Sequence, residues 1–291
     1  MIGLDWGTTS LRAYRLAPDG AVLARLDVQG GIMTVPPGGF PAALEAAIGP
    51  WLAEGETSVL LCGMVGSRQG WVEAPYLPCP ANLASLAAAT IPLPFGAAEA
   101  RLVPGLITRD AHGVPDVMRG EETKLIALPR DAALACLPGT HCKWARRAEG
   151  RILGFTTHMT GEVFGALSNH TILARTRAEA PHDPAAFARG LARAPEPGGL
   201  LHHLFGTRTL HLLGELPAEA ADSYLSGLLI GHEVAAALAE TGATAVDLLG
   251  ADRLAPLYAA ALEAQGVAVR RHDPDLVAAG LHAIAGALGW T

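Results

Sequence analysis

An α/β protein built from two related domains is what this sequence predicts, and three observations carry the prediction. A short device, Leu4-Asp5-Trp6-Gly7-Thr8-Thr9-Ser10-Leu11-Arg12, returns in altered form as Leu137-Pro138-Gly139-Thr140-His141-Cys142-Lys143-Trp144. Strand-like and helix-like text alternates around each copy. At 291 residues the chain is long enough for one large or two medium domains. Repetition of the device at that distance predicts two similar domains facing each other.

The first copy follows a very short apolar lead, Ile2-Gly3-Leu4, and precedes the alternating Leu11, Ala13, Tyr14 and Leu16, which reads as a β-hairpin starting at the first residue. Strands are expected near 2–5, 11–16 and 21–28, a helix near 40–53, the buried strand Ser58-Val59-Leu60-Leu61-Cys62, an alanine-rich helix at 82–89 and a strand near 101–107. The turn-rich His112-Gly113-Val114-Pro115-Asp116 marks a candidate boundary before residue 120. That makes 1–120 the N-terminal domain and 121–291 the C-terminal one. A helix at 121–128 leads through Pro129 to the second device, with strands at 132–137 and 151–155 on either side. Helices are expected at 161–173, 184–193, 217–241 and 253–265, and strands at 245–249 and 267–270. The last helix, 275–288, carries Ala279, Gly280, Ala283, Ala285, Gly286 and Ala287. Such small residues permit close approach, as at a hinge between domains, and a core helix explains them equally well.

Half of the residues are apolar and only 17% are charged, with alanine supplying much of the apolar share. A net charge of −7 argues against nucleic acid or an anionic membrane as partner, because phosphate surfaces are met with surplus Lys and Arg. No apolar run approaches the ~18 residues that span a bilayer, and the start runs into a strand without a basic leader, so a cytoplasmic protein acting on a small molecule is expected. The four cysteines, Cys62, Cys79, Cys136 and Cys142, lack C-x-x-C spacing, which suggests neither zinc nor a redox pair; Cys136 and Cys142 read as buried small apolar residues. The eleven histidines are scattered, His202-His203 falls in an unpatterned, loop-like stretch, and no His metal site is expected. Monomer and homodimer are both left open.

A small-residue turn with a hydroxyl and a nearby cation lets backbone N–H groups close on a phosphate. Neither copy fits G-x-x-x-x-G-K-[ST], and no G-x-G-x-x-G follows a strand. Asp5, two residues before Gly7, is a candidate to hold Mg²⁺ or its waters beside substrate phosphates. Arg12 and Lys143 are candidate cations for a phosphate tail, or partners of surface carboxylates.

With both turns placed, the architecture resembles the actin-like ATPase superfamily, whose sugar kinases hold ATP in a cleft between two facing domains of ribonuclease-H-like fold. The blocks GMVGSRQGWVEAPYLPCPANL (63–83), MRGEETKLIAL (118–128), LPGTHCKWARRAEGRI (137–152), TTHMTGEVFGAL (156–167) and YLSGLLIGHE (224–233) together resemble the 2-dehydro-3-deoxygalactonokinases over essentially the whole chain. That resemblance implies a transferase that phosphorylates the C6 hydroxyl of 2-dehydro-3-deoxy-D-galactonate with ATP, in galactonate or galactose breakdown. A kinase of another acid sugar, such as 2-dehydro-3-deoxygluconate, is the rival within enzymes. A non-enzymatic actin-like nucleotide switch is the rival outside them, and it calls for a polymerisation or peptide-binding surface.

On this resemblance Gly7, Thr8 and Thr9 cradle the β- and γ-phosphates, Gly139 and Thr140 do the same from the second domain, and Asp5 anchors hydrated Mg²⁺. Glu121 takes the place of the aspartate base found at this point in related carbohydrate kinases, and Glu122 is its substitute. Arg68, following the buried strand 58–62, is the first choice for the acid's carboxylate and Arg119 the second, since a guanidinium grips a carboxylate bidentately. Ser67, Gln69 and Trp71 offer hydroxyl contacts and a stacking wall, although Trp71 and Tyr76 read equally as core aromatics. The resemblance points to Gly250-Ala251-Asp252 for adenosine. The double glycine of the superfamily is absent there, and Pro138 stands where many relatives carry an acidic residue, so Mg²⁺ falls to Asp5 alone.

Overall fold

Runs of branched and aromatic residues bounded by turns become strands, and alanine-rich stretches become helices, throughout the computed structural model, which describes residues 1–96, 98–250, 253–273 and 275–290. The chain begins with β1 (Ile2–Trp6), β2 (Ser10–Leu16), β3 (Val22–Gln29), α1 (Phe40–Ala53), β4 (Ser58–Cys62), β5 (Tyr76–Pro78), α2 (Leu83–Ala88), β6 (Ile91–Pro92), β7 (Glu99–Leu102), β8 (Gly105–Arg109), β9 (Pro115–Met118) and α3 (Glu121–Ala127). It continues with β10 (Leu134–Leu137), β11 (Cys142–Ala148), β12 (Arg151–His158), α4 (Thr160–His170), α5 (Pro184–Arg193), α6 (Gly199–Leu212), α7 (Ala221–Thr241), β13 (Ala245–Leu249), α8 (Ala255–Ala264), β14 (Ala268–His272) and α9 (Leu276–Ala287).

Two sheets repeat one plan. The first runs β3-β2-β1-β4-β7-β6 and the second β12-β11-β10-β13-β14, so that, setting aside the short edge strand β6, each places its first-formed strand in the middle. In the first, β1 and β2 pair antiparallel, β2 and β3 likewise, while β4 and β7 run parallel to β1. In the second, β10, β13 and β14 are parallel. Strand β1 is hydrogen-bonded on both sides and is buried except at Asp5, next to its last residue, which suits its nearly unbroken apolar text. Helix α1 has Pro41 in its first turn and buries Phe40, Leu44 and Ile48, four residues apart, on one face.

The chain forms two compact units: unit 1 is Met1–Ala133, Ala145–Phe155 and Asp273–Thr291, and unit 2 is Leu134–Trp144 and Thr156–His272. The dividing line expected at residue 120 does not coincide with these limits, and packing explains why. Helix α3 and helix α9 touch backbone to backbone, and a Cβ on Gly3 of β1 would lie 2.9 Å from Leu281 of α9, so both helices are packed within unit 1. The core of unit 1 gathers Ile2, Leu4, Trp6, Leu44, Leu61 and Leu102; that of unit 2 gathers Cys136, Trp144, Val246, Leu248, Tyr258 and Leu262.

Three expectations are corrected. The strand expected at 101–107 is two strands, β7 and β8, broken at Val103-Pro104 and placed in different sheets. The boundary candidate 112–116 is a hairpin tip within unit 1, where Asp110 Oδ1 accepts the N–H groups of His112 and Val114 and Pro115 starts β9. The loop-like stretch around His202-His203 is helix α6, with His203 buried.

Candidate active site

Two left-handed glycines bring three segments of unit 1 together. Gly63, after β4, has φ 93°, and a Cβ there would stand 2.9 Å from Trp6 O and 3.1 Å from Asp5 Oδ1; Gly120, before α3, has φ 106° and its Cβ would stand 3.1 Å from Gly63 Cα. Only glycine supplies both the backbone angle and the close approach. The ends of β1 and β4 and the start of α3 therefore meet.

The first turn of α3 is closed by its own carboxylates. Arg119 N–H donates to Glu121 Oε2 at 3.1 Å, Gly120 N–H donates to Glu122 Oε2 at 2.7 Å, and the Thr123 hydroxyl donates to Glu122 Oε1 at 3.0 Å. Glu122 is fully buried, and burial first, then the neighbouring charge of Glu121, pushes its carboxyl up to about 8. Glu121 stays half-buried. The Cys62 thiol beneath them is pushed well up by burial and then by the Asp5 and Glu122 charges, which makes it inert.

Arg119 and Arg68 differ in the opposite sense from their sequence ranking. Arg68 is an exposed side chain, 3.5 Å from Glu73. Arg119 is only 8% exposed, with Nη2 donating to Ala74 O at 2.8 Å and its guanidinium 4.4 Å above the Tyr76 ring. Its Nε and Nη1 are buried without a hydrogen-bond partner, and no carboxylate among the described residues pairs with it. The Ser67 hydroxyl is likewise buried and unpartnered, and its neighbour Gly66 has its Cβ position 3.0 Å from Arg119 Nη1. Gln69 is exposed. Trp71 is partly buried against the core of unit 1, stacked on Phe40 at 6.4 Å and edge-on to Phe95 at 6.4 Å.

In the first Gly-Thr turn Gly7 N–H donates to Ser10 O at 2.9 Å and the side chains of Thr8 and Thr9 are exposed. The segment 30–33 backs it: Gly30 N–H reaches Thr9 O and Ile32 N–H reaches Gly7 O, and a Cβ on Gly31 would stand 2.2 Å from Gly7 O. Arg12 Nε lies 3.4 Å from Asp27 on the next strand. Asp5 lies 3.9 Å from Lys124 Nζ. Lys124, three residues after Glu121 on α3, escaped the sequence reading because a lone lysine in a short helix carries no signal of its own.

Unit 2 holds the second turn. Gly139 and Thr140 line a cavity of about 610 Å³, with Thr160 and Gly161 at the start of α4, Arg177 and Asp222, and Arg253, Leu254 and Pro256 to Tyr258 around it. A Cβ on Gly161 would stand 2.6 Å from Gly139 O, and Glu162 N–H donates to Thr140 O at 3.1 Å, so α4 is seated on the turn. His141 Nε2 and Glu162 Oε2 are 2.5 Å apart. Lys143 is 6% exposed and donates to Thr157 Oγ1 at 2.7 Å. Buried Glu233 accepts from Trp144 Nε1 at 2.7 Å and from the Tyr258 hydroxyl at 2.6 Å, which ties β11 to one wall of the cavity. Gly250 packs against Pro138, while Ala251 and Asp252 lie outside the described residues. The cavity walls Arg177, Asp222 and Gly161 escaped the sequence reading because nothing in their spacing announces that α4, α7 and α8 converge.

A family model described as 2-keto-3-deoxy-galactonokinase matches residues 5–284. The 2-dehydro-3-deoxygalactonokinase of Escherichia coli (strain K12) is 36% identical over 293 residues, 99% of this chain and 98% of that protein. A Rhizobium meliloti (strain 1021) relative named "Probable 2-dehydro-3-deoxygalactonokinase DgoK1" is 42% identical over 295 residues, 98% of this chain and 96% of its own length. A crystal structure of a Sinorhizobium meliloti protein carrying the same enzyme name superposes with a TM-score of 0.91 at 40% identity, covering 99% of this chain and 98% of that one. A carbohydrate kinase from Novosphingobium aromaticivorans, at 13% identity and a TM-score of 0.52 over 99% of this chain and 94% of its own, shares the fold. The repeated sheet plan and these neighbours give the ribonuclease-H-like fold of the actin-like ATPases, and the chain belongs to the 2-keto-3-deoxy-galactonokinase family.

Proposed function

We propose that the protein transfers the terminal phosphoryl group of ATP to the C6 hydroxyl of 2-dehydro-3-deoxy-D-galactonate, as a cytoplasmic step of galactonate or galactose breakdown. Family membership along the whole chain is the observation that carries this reading. The local chemistry of residues 119–122 supports it. A buried guanidinium with two unused donors stands two positions from a half-buried carboxylate, and a buried unpaired cation is costly unless an anion completes it. A keto acid supplies that anion. Arg119, helped by the Ser67 hydroxyl, takes the acid's carboxylate, the role that the sequence gave first to Arg68.

Glu121 accepts the proton of the C6 hydroxyl as that oxygen bonds to phosphorus and ADP leaves. A carboxylate suffices, because the loose transition state asks only for late proton removal. Glu122, neutral below its raised pKa of about 8, keeps a second negative charge away from the base and the incoming phosphates. Gly7, Thr8 and Thr9 in unit 1, and separately Gly139 and Thr140 in unit 2, offer N–H and hydroxyl donors of the kind that phosphate groups accept. The 610 Å³ cavity of unit 2 has the size and mixed lining of a nucleotide pocket. Asp5 is a single, partly exposed carboxylate beside a phosphate turn, a donor set that suits Mg²⁺, which keeps most of its waters. When bound there through water, the ion would neutralise charge on the nucleotide's tail.

Purified protein assayed for ADP release tests the reading. Turnover with the galactonate-derived keto-deoxy acid, lost with EDTA and restored by Mg²⁺, is expected. No turnover with any keto-deoxy acid, galacto or gluco, overturns it.

A further inference from the structure

The second turn carries a side-chain pair that the phosphate chemistry above does not use. His141 follows Thr140 directly, and its Nε2 lies 2.5 Å from Oε2 of Glu162, the residue after Gly161. Both side chains are half exposed, 51% and 50%, although an exposed charge pair is held only weakly unless geometry fixes it. Here geometry does. The Glu162 N–H donates to Thr140 O, and Gly161 admits the turn only because it lacks a Cβ, so both residues are anchored by backbone contacts on the same turn. The residues flanking the pair on each segment, Gly139 and Thr140, Thr160 and Gly161, line the 610 Å³ cavity. Lys143, the cation expected for this turn, is nearly buried with its ammonium on Thr157. His141 is thus the half-exposed side chain of cationic capacity on the turn itself.

We propose that His141 is a phosphate-contacting residue for the nucleotide and that Glu162 is its positioning residue; the inference rests on the kinase reading above and deepens its nucleotide site. The carboxylate fixes Nε2 as the donating nitrogen of the ring, which leaves Nδ1 for the anion. With a proton there the imidazolium donates a charge-assisted hydrogen bond to a β- or γ-phosphate oxygen. The contact belongs to the phosphate tail and not to the nucleoside, and this separates it from a merely structural pair.

Binding of ATP, ADP and adenosine to the full-length protein, measured by calorimetry alongside steady-state kinetics, tests it. For His141→Ala the Kd values for ATP and ADP rise about tenfold, the size expected for one charge-assisted hydrogen bond, while that for adenosine stays at the wild-type value. Glu162→Gln, which keeps size and polarity, gives a smaller rise with the same pattern, and the double variant is no worse than His141→Ala alone. His141→Gln recovers part of the loss, since an amide still donates. An equal loss for adenosine overturns the proposal in favour of a structural role, and so does unchanged ATP affinity in His141→Ala. Wild-type protein that binds no ATP overturns the kinase reading itself, an outcome distinct from wild-type binding that His141→Ala leaves intact.

Discussion

Gly280 of α9 meets Thr123 of α3 with no side chain between them: a Cβ on the glycine would stand 1.9 Å from the Thr123 carbonyl oxygen. Backbone cannot yield as a flexible side chain does. Gly280→Ala should destabilise the protein by about 1–3 kcal/mol. It should also lower kcat, because α3 carries Glu121 two residues before Thr123. Ala279→Ser, at the exposed neighbouring position, should change neither. Thermal melts and turnover on both variants check this; a wild-type melting temperature in Gly280→Ala would show that the helices have room to part.

The two glutamates of α3 should separate cleanly in kinetics. Glu121→Gln should reduce kcat by about 100-fold or more, the usual worth of a general base, with ATP affinity nearly intact. Glu122→Gln should be milder, since its carboxyl is sealed against Gly120 and Thr123. The opposite ranking moves the base to Glu122.

Stability should carry the signature of Glu122. Its carboxyl sits at about 8 in the folded protein against 4.5 for the ordinary group, raised by burial first and Glu121 second. Between those values the folded state holds a proton that the unfolded chain has released, so unfolding free energy falls as pH rises. The slope from this group is at most about 1.4 kcal/mol per pH unit; its contribution is whole below the unfolded pKa and gone above the folded one. Glu122→Gln has no proton to lose and should flatten that part of the profile. Urea unfolding from pH 5 to 9 measures it, and parallel profiles would place Glu122 at its ordinary pKa.

Substrate affinity should follow burial and not sequence prominence. Arg119→Lys should raise KM for the keto acid by about 10- to 100-fold, because a point charge replaces a planar fork, with KM for ATP little changed. Arg68→Lys, at an exposed ion pair, should leave both constants alone. An Arg68→Lys enzyme with the larger defect would return the carboxylate to Arg68.

Much of this fold was legible because burial and periodicity agreed. Helix α1 and strands β4 and β13 stand where their apolar text ends. Helix α6 was hidden because its inward positions are His203 and Thr207, whereas Leu201, Phe205 and Leu212 are exposed, which reverses the usual stripe. The small residues of α9 announced close contact but not its partner. In the candidate site the Gly-Thr turns and the Arg-Gly-Glu-Glu block were visible as text. The burial of Arg119 and the exposure of Arg68 were not, since they depend on Ala74, Tyr76 and Gly66 closing around one guanidinium and leaving the other out. The two readings of Arg12, phosphate cation or carboxylate partner, could not be weighed from text either, since the register of β2 on β3 is what sets Asp27 opposite it.

Because Glu121 Oε2 accepts the Arg119 amide, the carboxylate is oriented by its own backbone before any alcohol could reach it. The side chain has surrendered its rotations before any sugar arrives, and the roughly 1.5–2 kcal/mol of rotamer entropy that ordering a glutamate costs is met once, when the chain folds, instead of at every turnover. Folding thereby does the aiming, and whatever loosens the first turn of α3 spoils the aim as well.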